Sequence, residues 1–176
     1  APARAAPPLS DLIAGAYAAM GVCAALVRRE RTGQGEEVAV ALTDSMIANL
    51  AFLATHYFAT GEQPLRTGND HALVAPYGLF EASDGQVAIA PSNDQVYFKL
   101  LEVLGLSHLR DHPEFRTNQD RFERRAAINA IVNAEIRKRP IAHWLGALNA
   151  AGVPCGRVMS LPEVFADPQV RHQQMR

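Results

Sequence analysis

Between Asp11 and Arg28 the chain carries no charged side chain, and a stretch that long without charge has to leave water as a helix or a strand. Alanine dominates it, and Leu12, Ile13, Met20, Leu26 and Val27 fall on nearly every face, which predicts a helix apolar all round. Asp11 stands where an oxygen cap opens such a helix, Arg28, Arg29 and Arg31 suit the negative end of its dipole, and Gly33 stops it. The uncharged run Leu12–Val27 falls short of the ~18–20 apolar residues of a membrane span. A buried core helix is therefore expected, with no membrane. Ala1–Pro8, with three prolines and one arginine, reads as an extended arm that lacks the apolar core of an export signal.

The rest of the chain reads as an ordered, soluble protein. Of its 176 residues 48% are hydrophobic and 20% charged, the balance of a globular core and not of a disordered tail. Seventeen basic residues nearly cancel eighteen acidic ones, so no field exists to hold a polyanion, and nucleic-acid binding is disfavoured. Cys23 and Cys155 are the two cysteines. Their separation signals neither a disulfide framework nor a zinc site, which fits a cytoplasmic location and no metal.

Glu37–Leu42 alternates Val38, Val40 and Leu42 with small alanines, a pattern for a strand packed on both faces with one face close to a helix. Thr43 and Asp44 can cap a second helix that runs to about Thr60, where Gly61 and Pro64 end it. Helix, strand and helix in that order read as an α/β layer. After residues 61–70 the character changes. Tyr77–Ala82 and Gln86–Ala90 flank Ser83-Asp84-Gly85, a strong hairpin signal. Helices follow at about 93–104, 118–137 and 141–150, with Pro140 opening the last and Gly152 closing it. Val153–Met159 is a short apolar run, Leu161–Ala166 a brief helix, and the polar residues 171–176 build nothing. The expected division is 1–64 as part of a large α/β domain, 65–155 as a smaller α+β domain, and 156–176 as a linker returning to the large domain.

Several strings in the chain carry a family resemblance. They are Leu9-Ser-Asp-Leu-Ile-Ala-Gly15, Arg31-Thr-Gly-Gln-Gly-Glu-Glu-Val-Ala-Val-Ala-Leu42, Gly68-Asn69, Ala75-Pro-Tyr-Gly-Leu-Phe80, Ala151-Gly-Val-Pro-Cys-Gly156 and Glu163-Val-Phe-Ala-Asp-Pro-Gln-Val170. Together they resemble the class III CoA-transferases, the family that also holds formyl-CoA transferase, carnitine CoA-transferase and alpha-methylacyl-CoA racemase. The likeness runs along essentially the whole chain and corresponds to the middle and later part of the family's fold. It implies an α/β protein, part of the large Rossmann-like domain plus a smaller α+β domain of the class III CoA-transferase fold. Family members are considerably longer, so a fragment is expected, and most of the family's CoA-nucleotide contacts lie outside it.

The resemblance places the catalytic aspartate at Asp11. It implies transfer of coenzyme A between carboxylic acids through an aspartyl-CoA thioester. Acyl-CoA and an acceptor acid are the substrates, no cofactor is bound permanently, and the enzyme is an interlocked homodimer. A carboxylate suits this task, because its anhydride and thioester lie near substrates and products in free energy. The N-terminus of a helix favours negative charge and offers N–H groups near a developing oxyanion. Two other readings stay open: proton transfer next to the thioester, as in the racemase, and an inactive truncated family member.

His71 and Tyr77 are loop candidates for contact with the CoA substrate, although a solvated loop histidine and a packing tyrosine are the favoured readings. The run His71-Ala-Leu-Val74 lacks the glycines of some formyl-CoA transferases. His56 reads as a core or interface histidine, and Cys155 as a packed thiol. Gly33 and Gly35 read as a turn and not a phosphate loop. Arg121, Arg124 and Arg125, set among Asp120 and Glu123, read as a solvated face.

Overall fold

The computed structural model describes residues 5–175. Residues 1–4 of the expected N-terminal arm lie outside the described residues. The chain divides into two compact units, Ala1–Pro64 and Leu65–Arg176.

The first unit is helical. Helix α1 spans Leu9–Thr32 and ends on Gly33, whose φ of 72° is left-handed and whose N–H returns to the Arg29 carbonyl at 2.8 Å. Its N-cap is Pro8, not Asp11, which instead occupies the first turn and makes no cap hydrogen bond. Only Ala14 of α1 is buried, and Leu12, Met20, Val22, Leu26 and Val27 are exposed, so the expected burial is not met inside this chain. The uncharged stretch is short for a bilayer, yet the whole helix is long and apolar enough to cross one by length and composition.

Beyond α1, Glu37–Ala41 has no regular secondary structure and no ladder partner among the described residues, so the expected strand does not form. The expected close approach to a helix does occur. A Cβ on Gly21 of α1 would stand 2.7 Å from Val38 Cγ1, and Arg28 pairs with Glu36. The single helix expected over 43–60 is two: α2, Leu42–Ala48, and α3, Phe52–Thr60, broken at Ala51 with φ 46°. Asn49 closes α2 through Ser45 O at 2.8 Å and bonds the Tyr17 hydroxyl of α1 at 3.2 Å.

The second unit packs helices on a three-stranded antiparallel sheet of order β1-β2-β3. β1 (Gly78–Ala82) and β2 (Gly85–Ile89) form the expected hairpin, with Ala82 facing Gly85. Asp84 of the turn accepts the Ile141 N–H at 2.8 Å, and Ser83 N–H reaches Arg139 O at 3.1 Å. β3, Cys155–Arg157, pairs Ile89 with Cys155, so the strand runs across residues 155 and 156.

Helix α4 (Asp94–Leu104) starts on the Asn93 side chain, which accepts Val96 N–H at 3.0 Å. The long helix expected over 118–137 is interrupted at Arg124, giving α5 (Asn118–Glu123) and α6 (Arg125–Ile136). Helix α7 (Ile141–Ala151) begins after Pro140 and ends on Gly152 as expected. Val87, Ile89, Leu100, Ile128, Val132, Ile136 and Leu148 are fully buried between sheet and helices. Trp144 joins them with its indole N–H on Ile136 O at 2.7 Å. Helix α8 (Leu161–Ala166) matches expectation, but α9 (Pro168–His172) carries Arg171 and His172, which were expected to build nothing. Asp167 starts it by accepting the N–H groups of Gln169 and Val170.

Candidate functional site

Each unit contributes its own candidate residues. In the first, Asp11 projects from the first turn of α1, exposed and without a hydrogen-bond partner among the described residues. An aspartate at this position commonly spends its oxygens on the helix. Here the cap position is held by Pro8, which has no N–H for a first-turn carboxylate to accept, and Asp11 makes no cap hydrogen bond. His56 lies half-buried on α3.

In the second unit the candidates sit on one loop, Asn69–Gly78, that folds back on itself. His71 N–H donates to Tyr77 O at 2.9 Å, and the two rings lie 4.8 Å apart. His71 Nδ1 accepts the N–H groups of Leu73 and Val74 at 3.1 and 3.2 Å. Burial, with the positive charge of Arg125 added, holds the His71 imidazole below its ordinary value. Gly78 permits the return of the chain: a Cβ there would strike Asp70 Oδ1 and stand 3.1 Å from Asn69 O. The peptide Ala75–Pro76 is cis. His71 and Tyr77 are thus brought together, and both are half-buried.

A row of polar side chains on α5 and α6 holds this loop. Asn118 accepts Ala75 N–H at 3.3 Å and donates to Leu73 O at 2.9 Å. Arg121 Nε donates to Ala75 O at 2.8 Å, Arg125 Nη2 to Ala72 O at 3.4 Å, and Asn129 Nδ2 to Asp70 Oδ2 at 3.1 Å. Asn133 continues the row by accepting Glu81 N–H on β1 at 2.7 Å. Helical spacing accounts for it, since residues three or four apart share a face.

Arg121 corrects the reading of residues 121–125 as a solvated face. It is only 1% exposed. Its Nη1 reaches Phe115 O and Arg116 O, both at 3.1 Å, its Nη2 reaches Asp94 Oδ1 at 2.6 Å, and its guanidinium lies 3.9 Å from the Tyr97 ring centre. Burial pushes the Tyr97 hydroxyl up to about 12, against the pull of the Arg121 charge. Arg124 keeps the expected solvated character and pairs with Glu114 and Glu123. A signal for Arg121 did exist in the sequence: it continues the stripe of Ile128, Val132 and Ile136 by one helical repeat.

Beside the loop a hollow of about 360 Å³ is lined by Asn69, Tyr77, Gly78, Leu79, Ala88 and Cys155, among others. Burial raises the Cys155 thiol above its ordinary value, which suits a packed thiol and not a nucleophile. Among the described residues no three His, Cys, Asp or Glu side chains converge on a metal position.

The family model described as CoA-transferase family III matches residues 1–176. The acetyl-CoA:oxalate CoA-transferase of Acetobacter aceti is 36% identical over 167 residues, covering 95% of this chain and 43% of that protein. The succinate–glutarate CoA-transferase of Agrobacterium fabrum is 31% identical over 175 residues, covering 99% and 44%. Among solved structures, a CAIB/BAIF family protein from Brucella suis matches 99% of this chain and 46% of its own with TM-score 0.73 and 36% identity. Rv3272 from M. tuberculosis matches 99% and 45% with TM-score 0.84 at 21% identity, a likeness of fold alone. The chain therefore spans less than half the length of the relatives it matches.

Proposed function

The chain belongs to CoA-transferase family III, and on that premise we propose that it serves transfer of coenzyme A from an acyl-CoA to a carboxylic acid, with Asp11 as the nucleophile. The observation that carries this reading is the exposed carboxylate of Asp11 in the first turn of α1, which makes no cap hydrogen bond. A carboxylate oxygen of Asp11 attacks the thioester carbonyl, the C–S bond breaks, and CoA thiolate leaves with the electron pair. The thiolate then attacks the aspartyl carbonyl of the resulting anhydride and expels the donor acid, leaving an aspartyl-CoA thioester. The acceptor carboxylate reverses both steps and regenerates Asp11. No oxidant and no net proton is required.

His71 and Tyr77 are the residues we assign to contact with the CoA substrate, on a loop whose shape is set by the α5–α6 row. The names of the similar enzymes from A. aceti and A. fabrum point to oxalate, succinate and glutarate, so short dicarboxylic acids are the acceptors to try first. An interlocked homodimer belongs to the same reading. It is supported by the apolar outer face of α1, since contiguous apolar surface calls for a covering partner.

The test is covalent trapping in the intact protein. During turnover with acyl-CoA, hydroxylamine should inactivate the enzyme and leave a mass change on the peptide containing Asp11, and Asp11→Asn should abolish CoA exchange. Persistent exchange in that variant removes the proposal, and so does uptake of deuterium next to the thioester without an adduct, the behaviour of a racemase.

A further inference from the structure

We propose that His71 is a positioning residue whose neutral imidazole latches the Asn69–Gly78 loop, and that protonation of its Nδ1 releases the latch. This rests on the assignment of that loop to substrate contact, but its geometry can be tested without any CoA chemistry. An sp² nitrogen that accepts two main-chain N–H groups, from Leu73 at 3.1 Å and Val74 at 3.2 Å, has its lone pair fully engaged. The ring proton then belongs on Nε2. The same residue ties the ends of the turn together, through its own N–H on Tyr77 O and its ring against the Tyr77 ring. One residue thus takes part in the closure of the loop, by main chain and ring, and sets the direction of its central amides by its side chain.

Adding a proton to Nδ1 converts an acceptor into a donor. Three N–H groups would then point at one another with no acceptor among them, so both bonds break. Among the described neighbours of the imidazole in its own unit, Arg125 opposes that proton. Tyr77 faces it from its own loop, Arg125 from α6 bears a positive charge and bonds Ala72 O, and Asp70 is engaged by Asn129 of α6. Burial and the Arg125 charge accordingly hold the imidazole below its ordinary 6.5. The sign follows. The released loop binds the proton more readily than the latched loop, so the latch is complete above the ordinary histidine value and is lost as pH falls through the lowered one.

Amide hydrogen exchange at Leu73 and Val74 in the intact protein, expressed as protection against intrinsic rates, reads the latch directly. At about pH 8 both amides should be protected in the native protein, and at about pH 5 protection should fall on the order of tenfold or more. His71→Asn places an oxygen on the γ carbon, where it can accept the same amides two and three residues on, and should keep protection at both pH values. His71→Gln moves its acceptor one methylene outward and should lose protection at both.

Unchanged protection of the native protein across this range overturns the proposal, as does an Asn variant that behaves like the Gln variant. If either variant fails to fold, the tautomer settles the matter in the native protein. Nitrogen NMR of the His71 ring should show a bare Nδ1 and a protonated Nε2 at about pH 8, and the opposite tautomer ends the argument. None of these readouts depends on Asp11, so failure here is separable from failure of the transfer reaction.

Discussion

Replacing Arg121 by Met tests whether one guanidinium holds the second unit together. Met keeps the volume of the stem and removes every donor. The carbonyls of Ala75 and Phe115, residues only 2% and 4% exposed, lose their Arg121 partner. A buried acceptor left unpaired costs about 1–3 kcal/mol, and the lost cation over Tyr97 adds about 0.5–2 kcal/mol. The Asp94 carboxylate is 50% exposed, so it rehydrates and its share is discounted to roughly 0–1 kcal/mol. With two such carbonyls a total of about 2.5–9 kcal/mol follows, a large part of the ~5–15 kcal/mol that stabilises a typical domain. Trp144, the one tryptophan in the sequence, is buried in this unit, so its fluorescence in a urea titration reports the unit's own unfolding. With a slope of about 1.5 kcal/mol per molar, the midpoint should drop by at least about 1.5 M. Arg121→Lys, with one point charge in place of a fork, should recover less than half of the loss. A drop under about 0.5 M for Arg121→Met would refute the reasoning, because it would mean that the carbonyls find other donors at no cost.

Two further outcomes are expected. Gly78→Ala drives a Cβ into Asp70 Oδ1 and against main-chain atoms of Asn69 and Asp70 at 3.1 and 3.2 Å; the backbone cannot yield as a flexible side chain would, so a loss of about 1–3 kcal/mol should appear in thermal melts, and an unchanged melt would show that the loop is looser than described. Ser160 holds the Glu163 carboxylate below its usual range through its backbone N–H and then its hydroxyl, so the α8 cap is intact above the ordinary value of 4.5 and lost as pH falls through the lowered one. Exchange of the first-turn amides of α8 should therefore speed up, relative to intrinsic rates, only on the acid side of about pH 4.5, and equal protection at about pH 3 would refute the cap.

What could be read from the sequence was set by local chemistry. Asp84-Gly85 between apolar runs, and Pro140 and Gly152 at the two ends of α7, each act within a few residues, and each appears where expected. Elements whose form depends on a distant partner were not legible. Val38 and Val40 have the alternation of a strand, but a strand exists only with a ladder, and none is formed among the described residues. Ala51 carries no turn chemistry, yet the chain breaks there. Arg121 and Arg124 are the same residue type three positions apart, and one is buried while the other is solvated. The apolar stripe of Ile128, Val132 and Ile136 hints at which of the two turns inward, but the partners it meets, the carbonyls of Ala75, Phe115 and Arg116, are not announced by spacing. For the same reason His71 and Tyr77 could be named as loop candidates, while the helical row that shapes their loop could not.

That row has an evolutionary corollary. Asn118, Arg121 and Arg125 grip the loop by peptide atoms of Ala72, Leu73 and Ala75 and by none of its side chains. Substituents on residues 72–74 can therefore be exchanged by mutation while the frame that displays them persists. The frame of the loop is thus insured against changes in the side chains it carries, because its anchors are atoms that every residue possesses.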